Sequence, residues 1–75
     1  MSEIDPPSII PNMEPIDGIR RDFIAECLDH VARMASNGCH AISLGDDKLY
    51  EMQIELMRLT LLAAMNTYKE MKAQQ

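Results

Sequence analysis

The sequence predicts an all-α protein: an antiparallel two-helix hairpin with an extended, Pro-rich N-terminal arm, assembling into an oligomeric helical bundle. Three observations predict it. All four prolines fall within the first fifteen of 75 residues. Two Pro-free stretches with helical apolar spacing follow, separated by glycine and short polar residues. The second stretch is apolar over far more of its circumference than one partner helix can cover.

The arm comes first. Pro6, Pro7, Pro11 and Pro15 each lack a backbone donor and push the preceding residue out of the helical region. Residues 1–16 are therefore expected to be extended or disordered, with Ile9, Ile10 and Met13 as the side chains that could anchor them.

The hairpin is expected over 17–75, its first helix spanning about 17–37. Asp17 is suited to an N-cap, accepting from the free amides of the first turn. Ile19, Phe23, Ile24, Cys27, Leu28, Val31, Met34 and Ala35 then fill one side of a helix at about 100° per residue. Asp22, Glu26, Asp29 and Arg33 fill the other, with Asp29 and Arg33 four residues apart for a weak ion pair. Gly38 suits the left-handed position that ends a helix, so a turn is expected over 38–45.

The second helix is expected over about 46–72. Asp46 and Asp47 place negative charge in its first turn, and Lys69 and Lys72 place positive charge in its last. With Gly45 as the cap, Leu44 and Leu49 take the spacing of a hydrophobic staple. One apolar stripe runs Leu49, Met52, Leu56, Leu59, Ala63; another runs Tyr50, Ile54, Met57, Leu61, Met65, Tyr68. Together they leave only a narrow polar strip of Lys48, Glu51, Glu55, Arg58 and Lys69, itself interrupted by Leu62. One hairpin seam returns too little apolar burial to offset the entropy of ordering both helices. The excess stripe (Leu49, Tyr50, Met52, Ile54, Leu56, Met57, Leu59, Leu61, Met65 and Tyr68) is thus expected to be an oligomer interface, in a homodimer or higher assembly with the second helices central. Within it, Gln53, Thr60 and Thr67 form a polar line at heptad spacing, suited to fixing register or to lining a polar cavity.

Composition excludes several functions. Twelve acidic against seven basic side chains give a net charge of −5, the wrong sign for general nucleic-acid binding. No stretch has the apolar length to span a membrane, and the N-terminus lacks the charged-then-apolar order of a signal peptide. Cys27 and Cys39, without such a signal, predict reduced thiols and a cytoplasmic protein. No phosphate loop, nucleophile elbow or His-Glu-x-x-His motif is present, and the carboxylate pairs Asp22/Glu26 and Glu51/Glu55 fall on expected solvent faces. No enzyme and no cofactor are expected.

Two constellations remain. Cys27, His30, Cys39 and His40 are the ligand types of a zinc site. However, His30 lies about two turns, near 10 Å, before the expected end of the helix. It also falls inside the apolar stripe beside Phe23 and Met34, so packed side chains are expected and no metal. Gly18, Arg20 and Arg21 pose a sharper conflict, because cations in a first turn oppose the helix dipole. Three resolutions are open: an anion held by those residues, a carboxylate such as Asp46 or Asp47 from a neighbouring subunit, or neutralisation by Asp17 or Asp22 with Arg20 reaching water.

The functional expectation is a small, acidic, oligomeric helical protein that acts by binding another protein. An adaptor, antagonist or accessory factor of the kind phages and plasmids carry fits that build. Seven methionines make for an adaptable surface, and Asp22, Glu26 and Asp29 form an acidic face for a basic partner. The alternative is an oligomer that captures a small anionic ligand such as a nucleotide between subunits. There Arg20 and Arg21 would hold its charge, while Gln53, Thr60, Thr67 and Tyr50 or Tyr68 contact the rest.

Overall fold

The computed structural model describes residues 15–74. The expected arm, 1–16, lies outside the described residues except for its last two. Helix α1 spans Pro15–Ser43 and helix α2 spans Asp47–Ala73. At 1.5 Å per residue both are about 40 Å long, so they can pair along their full length. They pack antiparallel through one seam, with Gly38 against Gln53 near the turn and Arg20 reaching Gln74 at the far end.

Helix α1 starts two residues earlier than expected. Proline costs no hydrogen bond in a first turn, where amides have no intrahelical acceptor. The early start makes Asp17 a first-turn residue rather than the cap. It also moves Arg20 and Arg21 beyond that turn, where the opposing dipole field has largely faded. The expected conflict is therefore relieved by the helix itself.

The end of α1 is a larger correction. Gly38 does not stop the helix, which continues for five more residues to Ser43. The stop is Gly45, whose φ of +77° lies in the left-handed region. Its amide donates to the Ile42 carbonyl at 3.2 Å, and the Asp46 amide donates to the Ala41 carbonyl at 2.9 Å. This reciprocal pair is the Schellman arrangement, which satisfies carbonyls that the helix end would otherwise leave free. Asp46 then caps α2, its side chain accepting from the Leu49 amide at 3.1 Å. One residue thus closes the first helix and opens the second, across a connection of only Leu44, Gly45 and Asp46. Because the cap is Asp46 and not Gly45, Leu44 and Leu49 lose the staple spacing, and both are exposed.

The seam follows a strict alternation of threes and fours. Besides Asp17, Gly18 and Ala63, which are also half-buried, its buried and half-buried positions are Arg20, Ile24, Cys27, Val31, Met34, Gly38 and Ala41 on α1, and Tyr50, Gln53, Met57, Thr60, Ala64, Thr67 and Met71 on α2. This is the heptad spacing of a coiled-coil contact. The fully buried set is small apart from one side chain: Cys27, Ala41 and Ala64 with Met71. Small residues let helix axes approach closely. The core is consequently narrow, and most large apolar side chains lie outside it.

Candidate functional site

The residues expected to form a site separate into an inner and an outer set. Gln53, Thr60 and Thr67 lie half-buried in the seam between the two helices of one chain. Expected within an oligomer interface, fixing its register or lining a polar cavity, they lie in the chain itself against α1. Thr60 Oγ1 satisfies itself by donating to the Leu56 carbonyl at 2.8 Å. Tyr50 and Met57, expected in the oligomer stripe, also turn into this seam. The heptad rule explains the inversion. A helix meets a close partner through whichever stripe keeps the 3.5-residue period and small bulk, and here that stripe is less apolar than its neighbours.

The outer set of α2 comprises Leu49, Met52, Ile54, Leu56, Leu59, Leu61, Leu62, Met65 and Tyr68, all classed as exposed. Leu59 and Tyr68 each retain 50% exposure. They are joined on α1 by Ile19, Phe23, Leu28 and Ile42. A two-helix layer has two broad faces, and the heptad positions distribute these side chains onto both.

On the first face, α1 contributes Ala25, Leu28, Ala32, Ala35, Cys39 and Ile42, and α2 contributes Ile54, Leu61, Met65 and Tyr68. Two shallow grooves open here. One of about 300 Å³ is lined by Ile24, Ala64, Met65, Tyr68 and Lys69, and one of about 220 Å³ by Ala35, Gly38, Cys39, Ile42, Tyr50, Ile54 and Met57. Arg21 on α1, and Glu51, Arg58 and Lys72 on α2, share this face with them. The second face is divided. Leu49, Met52, Leu56 and Leu59 of α2 lie beside exposed Glu26, His30, Arg33, Asn37 and His40 of α1, with Phe23 and Ile19 at its far end.

His30 is exposed, correcting the expectation that it packs in an apolar stripe with Phe23 and Met34; Phe23 is itself 43% exposed. Of the zinc-type residues, Cys27 is buried in the seam while His30, Cys39 and His40 are exposed. Among the described residues, no group of three or more His, Cys, Asp or Glu side chains is placed to share a metal ion.

The charged edges are solvated. Asp22 and Asp29 are exposed on the side of α1 away from α2, with Glu26 exposed beside them on the divided face, and Asp29 accepts from Arg33 as the spacing predicts. On α2, Arg58 Nη2 donates to Glu55 at 2.5 Å. That hydrogen bond, and then the charge of Arg58, lower the Glu55 carboxyl below its ordinary value and raise the guanidinium in return. Both pairs are more than half exposed, where such contacts contribute little. Arg20 is half-exposed, and its Nη1 donates to Gln74 Oε1 at 2.7 Å. Arg21 is exposed. Arg20 is thus occupied by its own chain, and Gly18, Arg20 and Arg21 share no surface with the Gln53–Thr60–Thr67 line.

Compared with known protein families, characterised proteins and solved structures, the chain matches none. No helix among the described residues is long and apolar enough to cross a membrane.

Proposed function

We propose that this chain is a homo-oligomeric helical protein that acts by binding another protein. The observation that carries the reading is how much bulk stays outside: the hairpin's own seam closes over Cys27, Ala41, Ala64 and Met71 with Ile24, Val31, Met34, Tyr50 and Met57 half-buried, while Leu28, Ile54, Leu56, Leu59, Leu61 and Met65 lie exposed. Contiguous exposed apolar surface of this extent, rimmed by charge, marks an interaction site. Two different faces suit two different occupants. The first face, apolar except for Arg21, Glu51, Arg58 and Lys72, is the closer of the two to a core cut in half, and the divided face has the mixed character of non-obligate interfaces. The exposed Asp22, Glu26 and Asp29 edge gives such a partner an electrostatic approach if it is basic.

The alternative of a small anion held between subunits has less support. It needs Arg20 and Arg21 to converge with the polar line, and the geometry sends Arg20 to Gln74 and the polar line into the seam.

The reading is tested by in-cell cross-linking in the native host followed by affinity measurement with the recovered protein. Binding is expected to weaken as salt rises from about 0.05 to about 0.5 M. It is also expected to weaken at least several-fold in Asp22→Lys plus Asp29→Lys. Association that ignores both salt and the double change removes the acidic edge from the mechanism. Failure to cross-link to any protein other than itself removes the partner.

A further inference from the structure

We propose that residues 4–13, which lie outside the described residues, dock on the first face of their own hairpin as an extended strap, with Ile10 in the groove at the open end and Ile4 in the groove near the turn. The proposal does not rest on the partner reading, because such a strap leaves the divided face uncovered. Burial at the open end calls for a third element. Met71 lies two residues from the end of α2 yet keeps no exposure, whereas Met34 and Met57, in the same seam but mid-hairpin, are only half-buried. At the end of a hairpin no further turn covers a side chain from beyond, so two helices alone would leave Met71 the most open of the three. The contact of Arg20 with Gln74 sets the start of α1 against the end of α2. The chain that enters α1 at Pro15 is therefore the segment at hand to cover Met71.

The period of the arm fits the spacing of the grooves. Ile4, Pro7, Ile10 and Met13 recur at every third residue, in a segment that also holds Pro6 and Pro11. Three residues make one turn of a polyproline II helix, so in that conformation the four share one side. At about 3.1 Å per residue, Ile4 and Ile10 are then roughly 19 Å apart. On α2 the open-end groove is lined by residues from Ala64 to Lys69 and the other by residues from Tyr50 to Met57. Their centres are about thirteen residues apart, again roughly 19 Å at 1.5 Å per residue. Reach agrees as well. From Pro15, Ile10 extends about 15 Å, and Ile24 in the open-end groove lies about 14 Å along α1. Met13 extends about 6 Å, and Arg20, level with Met71 in the register of the Gly38–Gln53 contact, lies about 8 Å along. One or two residues spent on reversing direction shorten each reach by roughly 3–6 Å, which is within the length of either groove.

Charge is complementary. Residues 1–14 carry Glu3, Asp5 and Glu14 and no Lys or Arg. The first face carries Arg21, Arg58 and Lys72, and Lys69 joins them in the lining of the open-end groove. Among the described residues of that face, Glu51 near the turn is the one like charge on the path. An acidic strap is thus drawn to the face, most strongly at the open end, where Glu14 enters beside Arg21 and Lys72. Ordering it is also cheap, because Pro6, Pro7 and Pro11 restrict the segment before it docks.

The test is disulfide trapping in full-length chains carrying Cys39→Ser, each with one new cysteine in the arm and one on α2. Cysteines link only when their Cα atoms lie within about 7 Å. Ile10→Cys with Tyr68→Cys, and Ile4→Cys with Ile54→Cys, are expected to link within one chain several-fold faster than the mismatched Ile10→Cys with Ile54→Cys. No link at the matched pairs, or equal rates at matched and mismatched ones, overturns the strap. Matched pairs that link only at dimer mass put the arm on a second copy and overturn its docking on its own hairpin. Peroxide oxidation of methionines, mapped by mass spectrometry, gives a second readout without new cysteines. Met71 is expected to oxidise several-fold faster in Ile10→Ser plus Met13→Ser than in the unsubstituted protein, while Met52 on the divided face keeps its rate. An unchanged Met71 rate means that the two helices cover it unaided, and also overturns the strap.

Discussion

Replacing Gly38 by alanine is expected to stabilise this protein, and replacing Gly45 by alanine to destabilise it. Gly38 is inside α1, in ordinary helical geometry, and a Cβ built on it meets only the Gln53 Cβ at 3.7 Å, a normal van der Waals contact. Alanine there exchanges the least favourable ordinary helix residue for the best one, at no steric cost. The gain is about 0.4–1 kcal/mol, much of it from a less flexible unfolded chain. For a domain of this size that raises the melting midpoint by roughly 2–8 °C. Gly45 has open space around it, yet its φ of +77° puts any Cβ against the following carbonyl. Alanine there costs about 1–2 kcal/mol and lowers the midpoint correspondingly. Thermal and urea melts followed at 222 nm check both signs, with protein concentration held fixed so that the proposed assembly contributes equally to each midpoint. Were Gly38 the helix stop, both signs would reverse. A Gly38→Ala protein that melts below the parent refutes the continuous α1 and the seam drawn through it.

Three further outcomes follow from the same geometry. Asp46→Ala removes the α2 cap at the residue that also completes the end of α1, and is expected to cost about 1 kcal/mol, mostly recovered in Asp46→Asn. Enlarging the seam by Ala64→Leu is expected to cost about 1–3 kcal/mol through overpacking, whereas Leu56→Ser on the divided face shifts the urea midpoint by no more than about 0.5 kcal/mol equivalent. Glu55 has its carboxyl lowered by Arg58, so the pair's small contribution is present above the ordinary carboxylate value and is lost as pH falls through the lowered one. Glu55→Gln is therefore expected to flatten the acid limb of stability slightly, an effect that disappears in high salt.

Much of the fold was legible because its determinants are local. The two periodic stretches marked the helices, while the expected arm lies outside the described residues up to Pro15, where α1 already begins. Asp46 and Lys72 sit at the α2 ends that their charges favour. The first helix end was not legible from Gly38 alone, because a glycine signals a stop only if the chain beyond it leaves the seam. Here Ala41 continues the three-four alternation past Gly38 and is fully buried, so tertiary contact overrides the local signal. The candidate site was half legible. The two stripes of α2 and their excess over one partner are plain in the sequence, and so is the heptad line Gln53–Thr60–Thr67. Which stripe faces inward was obscured by ranking side chains by apolarity. Close packing between two helices ranks them by size and period instead, and that ranking selects Cys27, Gly38, Ala41 and Ala64.

That choice bears on why the chain is built this way. Had the stripe of Leu49, Met52, Leu56 and Leu59 faced α1, the hairpin would have buried more of its large side chains and presented Gln53, Thr60 and Thr67 to solvent. It would then be more self-sufficient and less able to bind anything. Turning the bulk outward leaves a narrow seam that sets alignment through period and small contacts. Under the proposed function, the exposed apolar surface is what association would bury. Stability of the hairpin and occupancy of its faces are therefore linked quantities. Any occupant that binds the folded chain alone raises its melting midpoint by mass action. Raising the protein concentration tenfold should accordingly increase the midpoint of the unsubstituted chain. A midpoint independent of concentration would mean that the seam alone, narrow as it is, suffices to hold the two helices together.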